Sequence, residues 1–213
     1  VQIGQDIDGE SAYDNSGKSV SLSSDGSIVA IGAPNNDGNG GQRGYARVYK
    51  NVSGSWIQIG QDIDGESAYD NSGESVSLSS DGSIIAIGTP FNNENGNNAG
   101  HVRVFKNISD NWTQIGTDID GESVNDRSGT SISLSNNGSI LAIGAPFNTT
   151  VQNGNTNFEG HARVFDLNGI LNIENFKEEN YKIYPNPTSK NITIQLLTGE
   201  LKNITIYNNL GQK

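Results

Sequence analysis

Acidic side chains recur in sets along this chain, and their types and spacing suit the binding of a hard cation. The first set contains Asp6, Asp8 and Asp14, with Glu10 between them. Two later sets repeat it at intervals of 56 residues: Asp62, Asp64, Glu66 and Asp70, then Asp118, Asp120, Glu122 and Asp126. Because Ca²⁺ takes about six to eight oxygen ligands, each set is a candidate calcium site.

The alternative is that these acids are solvated loop residues whose carboxylates cap backbone N–H groups, with Gly9 forming the turn. Ile7 lies between two aspartates as it would in a strand. The spacing also differs from that of an EF-hand loop. We therefore favour the structural interpretation and keep Ca²⁺ as the one cofactor that the sequence suggests.

Basic side chains recur in the same register as the acidic sets. Arg47, Arg103 and Arg163 occupy one aligned position in all three copies. An arginine repeated in a strand predicts an ion pair with a carboxylate of the acidic loop. His101 and His161 align with Tyr45. Since a tyrosine replaces them in the first copy, we predict that they pack in a strand rather than bind metal or transfer protons.

Residues typical of catalysis are not set apart from the repeats. A Ser/His/Asp set does not occur outside the repeat register. Almost every acid is repeated, whereas a hydrolase with paired carboxylates needs two that differ in environment. Trp56 and Trp112 are interpreted as packing residues, with stacking against a sugar as the alternative. The sequence therefore predicts a protein that is not an enzyme.

The acidic sets are positioned by a longer repeat with the alternation of a β-hairpin. Its first copy reads SVSLSSDGSIVAIGAP at Ser19–Pro34, and it returns at Ser75–Pro90 and Ser131–Pro146. Apolar and small polar residues alternate on both sides of an Asp-Gly or Asn-Gly pair, which forms a tight turn. Within the first repeat we predict four strands, at Ser19–Ser23, Ile28–Ala33, Tyr45–Lys50 and Trp56–Ile63. Four short strands in each repeat favour a propeller blade over a solenoid coil.

The third repeat differs from the other two. It has no Trp-x-Gln segment after Phe165, so it lacks its own fourth strand, whereas Val1–Ile7 reads as a fourth strand without a blade. Three blades are fewer than a closed ring of about four to eight. We therefore expect further blades upstream of this sequence. The predicted fold is all-β: three four-stranded, propeller-like blades in a partial propeller or open arc, and a small, incomplete β-sandwich tail.

Composition limits the classes of partner. The chain has 213 residues, 27 of them Gly, no Cys and 32% hydrophobic residues, which suits short strands and many turns. Residues 1–166 hold 20 acidic residues and 8 Lys or Arg, which argues against a nucleic-acid ligand. The sequence contains no apolar run of about 18 residues, so we predict no membrane span.

The repeats resemble FG-GAP repeats, the blades of integrin-type propellers. The matching residues of the first copy are Gly17, Gly32-Ala33-Pro34, Gly44 and Tyr49. The resemblance covers about residues 3–165 and implies a propeller that binds ligands or mediates adhesion. The phenylalanine of the family name is replaced by Ser16, Ser72 and Ser128. The calcium loop of the family is shortened to Ser23-Ser24-Asp25-Gly26, which has a single carboxylate.

The end of the chain resembles the C-terminal sorting domain of the type IX (Por) secretion system of Bacteroidetes. The matching residues are Tyr184, Pro185, Asn186, Pro187, Thr188, Ile192, Ile194, Ile206-Tyr207-Asn208 and Gly211-Gln212. The family domain continues beyond this point, so we expect a shortened copy here. The resemblance implies that the secretion machinery is a partner, and that the protein is extracellular or on the outer-membrane surface.

Together these features predict three segments: repeats at 1–165, a linker at 166–180 and the sorting domain at 181–213. We expect a secreted or cell-surface binding or adhesion module that recognises an extracellular protein or glycan. The alternative is an accessory region of a secreted enzyme whose catalytic domain lies upstream. Specificity is expected in the loops that vary between copies, namely Asn35–Arg43, Phe91–Ala99 and Phe147–Glu159.

Overall fold

The structure is a computed structural model that describes residues 1–38, 40–152, 155–171, 181–184 and 193–196. It divides into two compact units, Val1–Leu171 and Asn172–Lys213. The regular secondary structure of the described residues consists of β-strands, apart from the single-turn helix α1 at Asn168–Leu171. The predicted all-β class is therefore confirmed. The described part of the chain contains no helix long and apolar enough to cross a membrane.

The first unit is built from three antiparallel, blade-like sheets, one for each repeat. The first sheet contains β1 (Ser19–Leu22), β2 (Ile28–Ala33), β3 (Tyr45–Val52), β4 (Ser55–Gln58) and β5 (Ile63–Asp64). The second contains β6 (Ser75–Leu78), β7 (Ile84–Thr89), β8 (His101–Ile108), β9 (Asn111–Gln114) and β10 (Ile119–Asp120). The third contains β11 (Ser131–Leu134), β12 (Ile140–Ala145) and β15 (His161–Asp166). The three sheets form an open array, as a partial propeller would.

Two further strand pairs lie outside these sheets. Strands β13 (Thr149–Gln152) and β14 (Asn155–Phe158) form a hairpin in the loop that precedes β15. In the second unit, β16 (Tyr181–Tyr184) pairs antiparallel with β17 (Thr193–Leu196). The remainder of the predicted β-sandwich tail lies outside the described residues.

The fourth strand of each complete blade is interrupted, which corrects the prediction of one strand over Trp56–Ile63. Both β4 and β5 pair with β3, at its end and its beginning respectively. Between them Gly60 has a φ of 70°, in the left-handed region that a regular strand cannot contain. Contact is kept at the break because the N–H of Ile59 donates to the carbonyl of Val48 at 2.8 Å.

The ends of the array also differ from the prediction. Val1–Ile7 was expected to be a strand, but the segment forms no strand. It is held instead by the indole N–H of Trp56, which donates to the carbonyl of Ile3 at 2.9 Å. The third sheet has three strands among the described residues, in agreement with the missing fourth strand of that repeat.

The turn of each hairpin is closed by the carboxamide or carboxylate at one position. Oδ1 of Asp25 accepts hydrogen bonds from the hydroxyls of Ser23 and Ser27 and from the backbone N–H of Ser27. Asn137 accepts the corresponding three bonds in the third copy. Either side chain therefore caps the turn at this position. This role needs one oxygen acceptor and no second carboxylate.

We expect the carboxyl group of Asp25 to titrate at about pH 2, well below its ordinary pKa of 3.8. The backbone N–H of Ser27 lowers the pKa most, followed by the two serine hydroxyls. Because the folded-state pKa is depressed, the stabilisation is present above the unfolded pKa and is lost as the pH falls toward 2. Carboxyl-carbon NMR of the native protein measures this. A midpoint near 3.8 contradicts the turn geometry, and Asp25→Asn should remove the transition while keeping the fold.

Neighbouring blades are joined through the serines of their first strands. The hydroxyl of Ser19 donates to the carbonyl of Gly73 at 2.8 Å, and that of Ser21 accepts from the N–H of Leu78 at 2.9 Å. The second joint repeats this pattern: Ser75 with Gly129 at 2.7 Å, and Ser77 with Leu134 at 2.9 Å. The serines that alternate with apolar residues therefore face the next blade rather than water.

Two hydrophobic cores lie between the three sheets, one on each face of β7. Ile85 and Ile87 belong to the core between the first and second blades. Ile84 and Ala86 belong to the core between the second and third blades. This alternation is why β7 reads as a continuous apolar run. The second core also includes Leu167, which lies at the start of the predicted linker.

The outer face of the first blade is exposed. Leu22 is 60% exposed, whereas Leu78 at the same repeat position is 6% exposed. Val20 and Val76 differ in the same way. The apolar residues of the first strand are therefore buried only where a preceding blade covers them.

Candidate functional site

The loops at one end of the blades form a surface that we call the loop face. It comprises the described residues of the loops at 34–38, 40–44, 90–100, 146–152 and 155–160, and of the loops at 9–18, 65–74 and 121–130 that each lead into a blade. The N–H of Gly65 donates to the carbonyl of Gly44, and that of Ser72 to Arg43, both at 2.8 Å. The aligned bonds join the second and third blades at 2.7 and 2.9 Å. Backbone hydrogen bonds therefore join the loops of neighbouring blades.

The repeated arginines pair with the acidic loops, and this prediction is confirmed. The guanidinium of Arg47 donates two hydrogen bonds to the carboxylate of Asp62, at 2.7 and 2.6 Å, and also forms an ion pair with Glu10. The aligned arginines form longer ion pairs, Arg103 with Glu66 at 3.5 Å and Arg163 with Glu122 at 3.7 Å. The arginines thus tie the strands to the acidic loops.

The last aspartate of each acidic set is buried and holds two loops together. Oδ2 of Asp70 accepts from the N–H of Ser67 and from the side-chain amide of Asn92, both at 3.1 Å. Asp14 and Asp126 make the same pair of contacts, with Asn36 and Asn148 as amide donors. Burial raises the pKa of Asp70. These aspartates act as the caps that the structural interpretation predicts.

The other six aspartates lie in varied surroundings. Asp6 and Asp8 are exposed. The carboxylate of Asp62 accepts from Arg47, and that of Asp118 accepts from Gln114. The backbone carbonyls of Asp64 and Asp120 each accept from an arginine. Among the described residues, one group of acidic and histidine side chains lies within reach of a single ion. Of the nine aspartates predicted as calcium ligands, this group contains Asp118 and none of the other eight. A calcium ion in each set therefore stays a prediction.

That group lies in the second blade, and its four residues come from four places in the chain. Glu66 lies in the loop that enters the blade, Glu94 in the loop after β7, His101 at the first position of β8, and Asp118 just before β10. One ligand atom of each residue lies within 4.8 Å of those of the others. We call these four residues the acidic-histidine cluster.

Burial and like charges shape the electrostatics of the cluster. Burial raises the pKa of Glu66, and the charges of Asp118, Glu94 and Asp70 raise it further, against the opposing effect of Arg103. Burial also lowers the pKa of His101 to about 4, although Asp118 opposes this. At neutral pH the imidazole is therefore neutral and has a free lone pair.

The first blade has the same scaffold with different chemistry. Tyr45 stands in place of His101 and Gly38 in place of Glu94. There Arg47 binds both remaining carboxylates, from Glu10 and Asp62. Among the described residues, such a cluster therefore occurs in the second blade and not in the first.

Reasoning from the sequence missed Glu94 and assigned His101 to packing alone. The interpretation of the sequence relied on residues that recur in every copy. Glu94 and His101 differ from the residues at the same positions of the first copy, which are Gly38 and Tyr45. The available signal was that a tyrosine-to-histidine change and a glycine-to-glutamate change coincide in one repeat. Trp112, by contrast, packs as predicted, since it is buried and its N–H donates to the carbonyl of Ile59 at 2.9 Å.

Aromatic side chains are displayed on and beside the loop face. Tyr13 and Tyr69 occupy one repeat position, are 90% and 65% exposed, and both have positive φ angles. Arg127 lies between two phenylalanines, 4.9 Å from the ring centre of Phe91 and 4.5 Å from that of Phe147. The loop face thus presents flat apolar surfaces held by a hydrogen-bonded backbone.

The predicted sorting residues lie mostly outside the described part of the chain. Tyr184 is the last residue of β16. Pro185, Asn186, Pro187, Thr188 and Gly211 lie outside the described residues, so the structure says nothing of their positions.

Comparison with solved structures gave a weak likeness. Hydrazine synthase from Kuenenia stuttgartiensis is similar over 70% of this chain, with a TM-score of 0.43 and 11% sequence identity. This chain spans 33% of the length of that chain. The likeness is too low to carry a functional argument. No curated protein sequence matched the chain.

Comparison with protein families gave a match at the C-terminus. Residues 182–213 match the family described as the secretion system C-terminal sorting domain. Such a domain points to export through the type IX secretion system, to the cell surface or the extracellular space, and to an interaction with that machinery. The chain therefore carries a secretion system C-terminal sorting domain at residues 182–213.

Proposed function

We propose that this protein is a non-catalytic binding module of FG-GAP-like propeller repeats, exported through the type IX secretion system. In this proposal residues 1–165 form the repeats, 166–180 a linker and 181–213 the sorting domain. The observation that carries the binding function is the exposure of Tyr13 and Tyr69 on a loop face whose loops are joined by backbone hydrogen bonds. Exposed aromatic rings on fixed loops suit recognition, because little conformational entropy is lost when a ligand contacts them.

The arrangement favours a neutral polysaccharide as the ligand. The two tyrosines recur at one position in successive blades, so their rings are offered at the spacing of the repeat. A polymer with its own repeat can contact both rings at once, and the combined contact binds more tightly than either alone. The acidic surroundings disfavour an anionic polymer.

Sedimentation of the full chain with a panel of insoluble neutral and anionic polysaccharides tests this function. We expect the wild-type protein to bind at least one neutral polysaccharide. The double variant Tyr13→Ala, Tyr69→Ala should bind roughly tenfold more weakly, since each aromatic contact contributes about 0.5–1.5 kcal/mol. Both rings are exposed, so the fold should be unaffected.

A matched control replaces exposed apolar residues at the opposite end of the first blade, with Val52→Ala and Ile57→Ala. This variant should bind as the wild type does. Binding that survives loss of both tyrosines contradicts the loop face as the contact surface. Binding to immobilised extracellular proteins but to no polysaccharide would show that the ligand is a protein and not a polysaccharide.

A further inference from the structure

We propose that the acidic-histidine cluster binds a divalent transition-metal ion, and that Zn²⁺ is the ion it fits. The cluster supplies one imidazole and three carboxylates, from Glu66, Glu94, His101 and Asp118, within 4.8 Å of one another. This site goes beyond the proposed binding function. It differs from the calcium sites considered from the sequence, because it takes Glu66 and Asp118 from two different sets and adds Glu94 and His101, which belong to neither.

The strongest support comes from His101. Its side chain is 0% exposed, and neither ring nitrogen has a hydrogen-bond partner. Nδ1 lies 3.4 Å from Oδ2 of Asp118 without forming a hydrogen bond to it. Buried polar atoms are normally satisfied, so an orphaned imidazole facing carboxylates points to a missing partner. A metal ion bound by Nδ1 supplies that partner, while Nε2 keeps the proton.

The negative charge of the cluster also favours a bound cation. Three carboxylates converge, and the nearest cation is Arg103, whose guanidinium lies 3.5 Å from Glu66 and also donates to the carbonyl of Asp64 at 2.6 Å. In the first blade the aligned arginine neutralises two carboxylates directly. In the second blade Arg103 forms no ion pair with Asp118. A dication relieves the remaining repulsion among the acids.

The donor set selects the type of ion. Zn²⁺ is commonly bound by four nitrogen, oxygen or sulfur donors in a tetrahedron, and this cluster offers four. Ca²⁺ takes oxygen ligands and more of them, so a buried imidazole does not suit it. Imidazole is a good ligand for zinc, and carboxylates are compatible with it. A bound ion would link the entering loop, the loop after β7 and the segment before β10.

The first repeat provides the variants for the test. His101→Tyr and Glu94→Gly install the residues that occupy those positions in the first blade. Tyr45 is 1% exposed there, so the scaffold accommodates a tyrosine. The backbone N–H of Gly38 donates to Asn36 at 2.9 Å, as that of Glu94 does to Asn92. Both substitutions should therefore preserve the fold. His161→Tyr, at the aligned position of the third blade, is the control.

The experiment is equilibrium dialysis of the tag-free full chain against Zn²⁺ and Ca²⁺, followed by metal analysis and thermal melting. We expect one Zn²⁺ per chain for the wild type and His161→Tyr, with a raised melting temperature. His101→Tyr and Glu94→Gly should bind Zn²⁺ at least roughly tenfold more weakly. Co²⁺ should give the visible spectrum of a tetrahedral nitrogen–oxygen site in the wild type and not in His101→Tyr.

Three results would overturn the proposal. The first is a wild-type chain that binds no Zn²⁺ beyond the level of both cluster variants. The second is a Zn²⁺ affinity that falls equally in His161→Tyr and His101→Tyr. The third is binding of Ca²⁺ in preference to Zn²⁺ with no dependence on His101, which replaces the ion and the histidine ligand together.

Discussion

Alanine at Gly88 is expected to lower the free energy of unfolding by about 3 kcal/mol. A methyl group on Gly88 would overlap the carbonyl oxygen of Gly129 and the hydroxyl of Ser75. Both contacts fall inside the 3.0 Å below which real Cβ contacts essentially do not occur. The oxygen of Gly129 is backbone and accepts the bond from Ser75 that joins the second and third blades. Relief therefore requires the blades to separate.

Gly144 provides the matched control, because it occupies the same position in the third blade. A methyl group there would meet the hydroxyl of Ser131, and the next nearest atom lies 3.6 Å away. A serine hydroxyl can rotate, so Gly144→Ala should cost about 1 kcal/mol or less. Urea denaturation followed by the fluorescence of Trp112, which is buried between blades, measures both variants. If both variants lost the same free energy of unfolding, the contact between the second and third blades would not be the reason for glycine at position 88.

Replacing Leu78 by alanine is expected to cost about 2–5 kcal/mol, because it leaves a cavity between the first and second blades. Leu22→Ala, at the same position of the first repeat, should change stability by about 0.5 kcal/mol or less, since Leu22 is exposed. Urea denaturation of both variants under the same conditions gives the comparison. The two share residue type, position within the first strand of a repeat and neighbours in sequence, so the difference between the two variants isolates burial. A loss at Leu22 as large as at Leu78 would show that the outer face of the first blade is covered in solution.

The hairpins were predictable because alternation and turn chemistry act locally. In the register of β1 and β2, Ser19 lies opposite Gly32 and Leu22 opposite Val29, as a tight turn at Asp25-Gly26 requires. The break in the fourth strand was not predicted, although Gly60 marked it. Its neighbours alternate like a strand, and the sequence alone does not reveal that the chain uses the left-handed conformation there.

Contacts between blades could be predicted less well. Alternation indicates that Ser19 and Ser21 share one face, but it cannot say what covers that face. The structure shows a second blade, whose carbonyl and N–H groups these hydroxyls bind. The acidic-histidine cluster was hidden for the same reason. Its members are far apart in sequence, and the register that brings Glu94 near His101 and Asp118 exists only in three dimensions.

The serine-mediated joint has a consequence for how such a gene can change. The first and second repeats are identical at 40 of 56 positions, and the two joints between the three blades use the same donor and acceptor atoms. Neither joint distinguishes the pair of blades that it connects. Recombination between the repeats could therefore add or delete one whole unit. The new pair of neighbouring blades would be joined by the same serine hydrogen bonds that join the existing pairs. The number of units can therefore change without a new kind of joint, while in the described part of the chain the acidic-histidine cluster distinguishes the second unit from its neighbours.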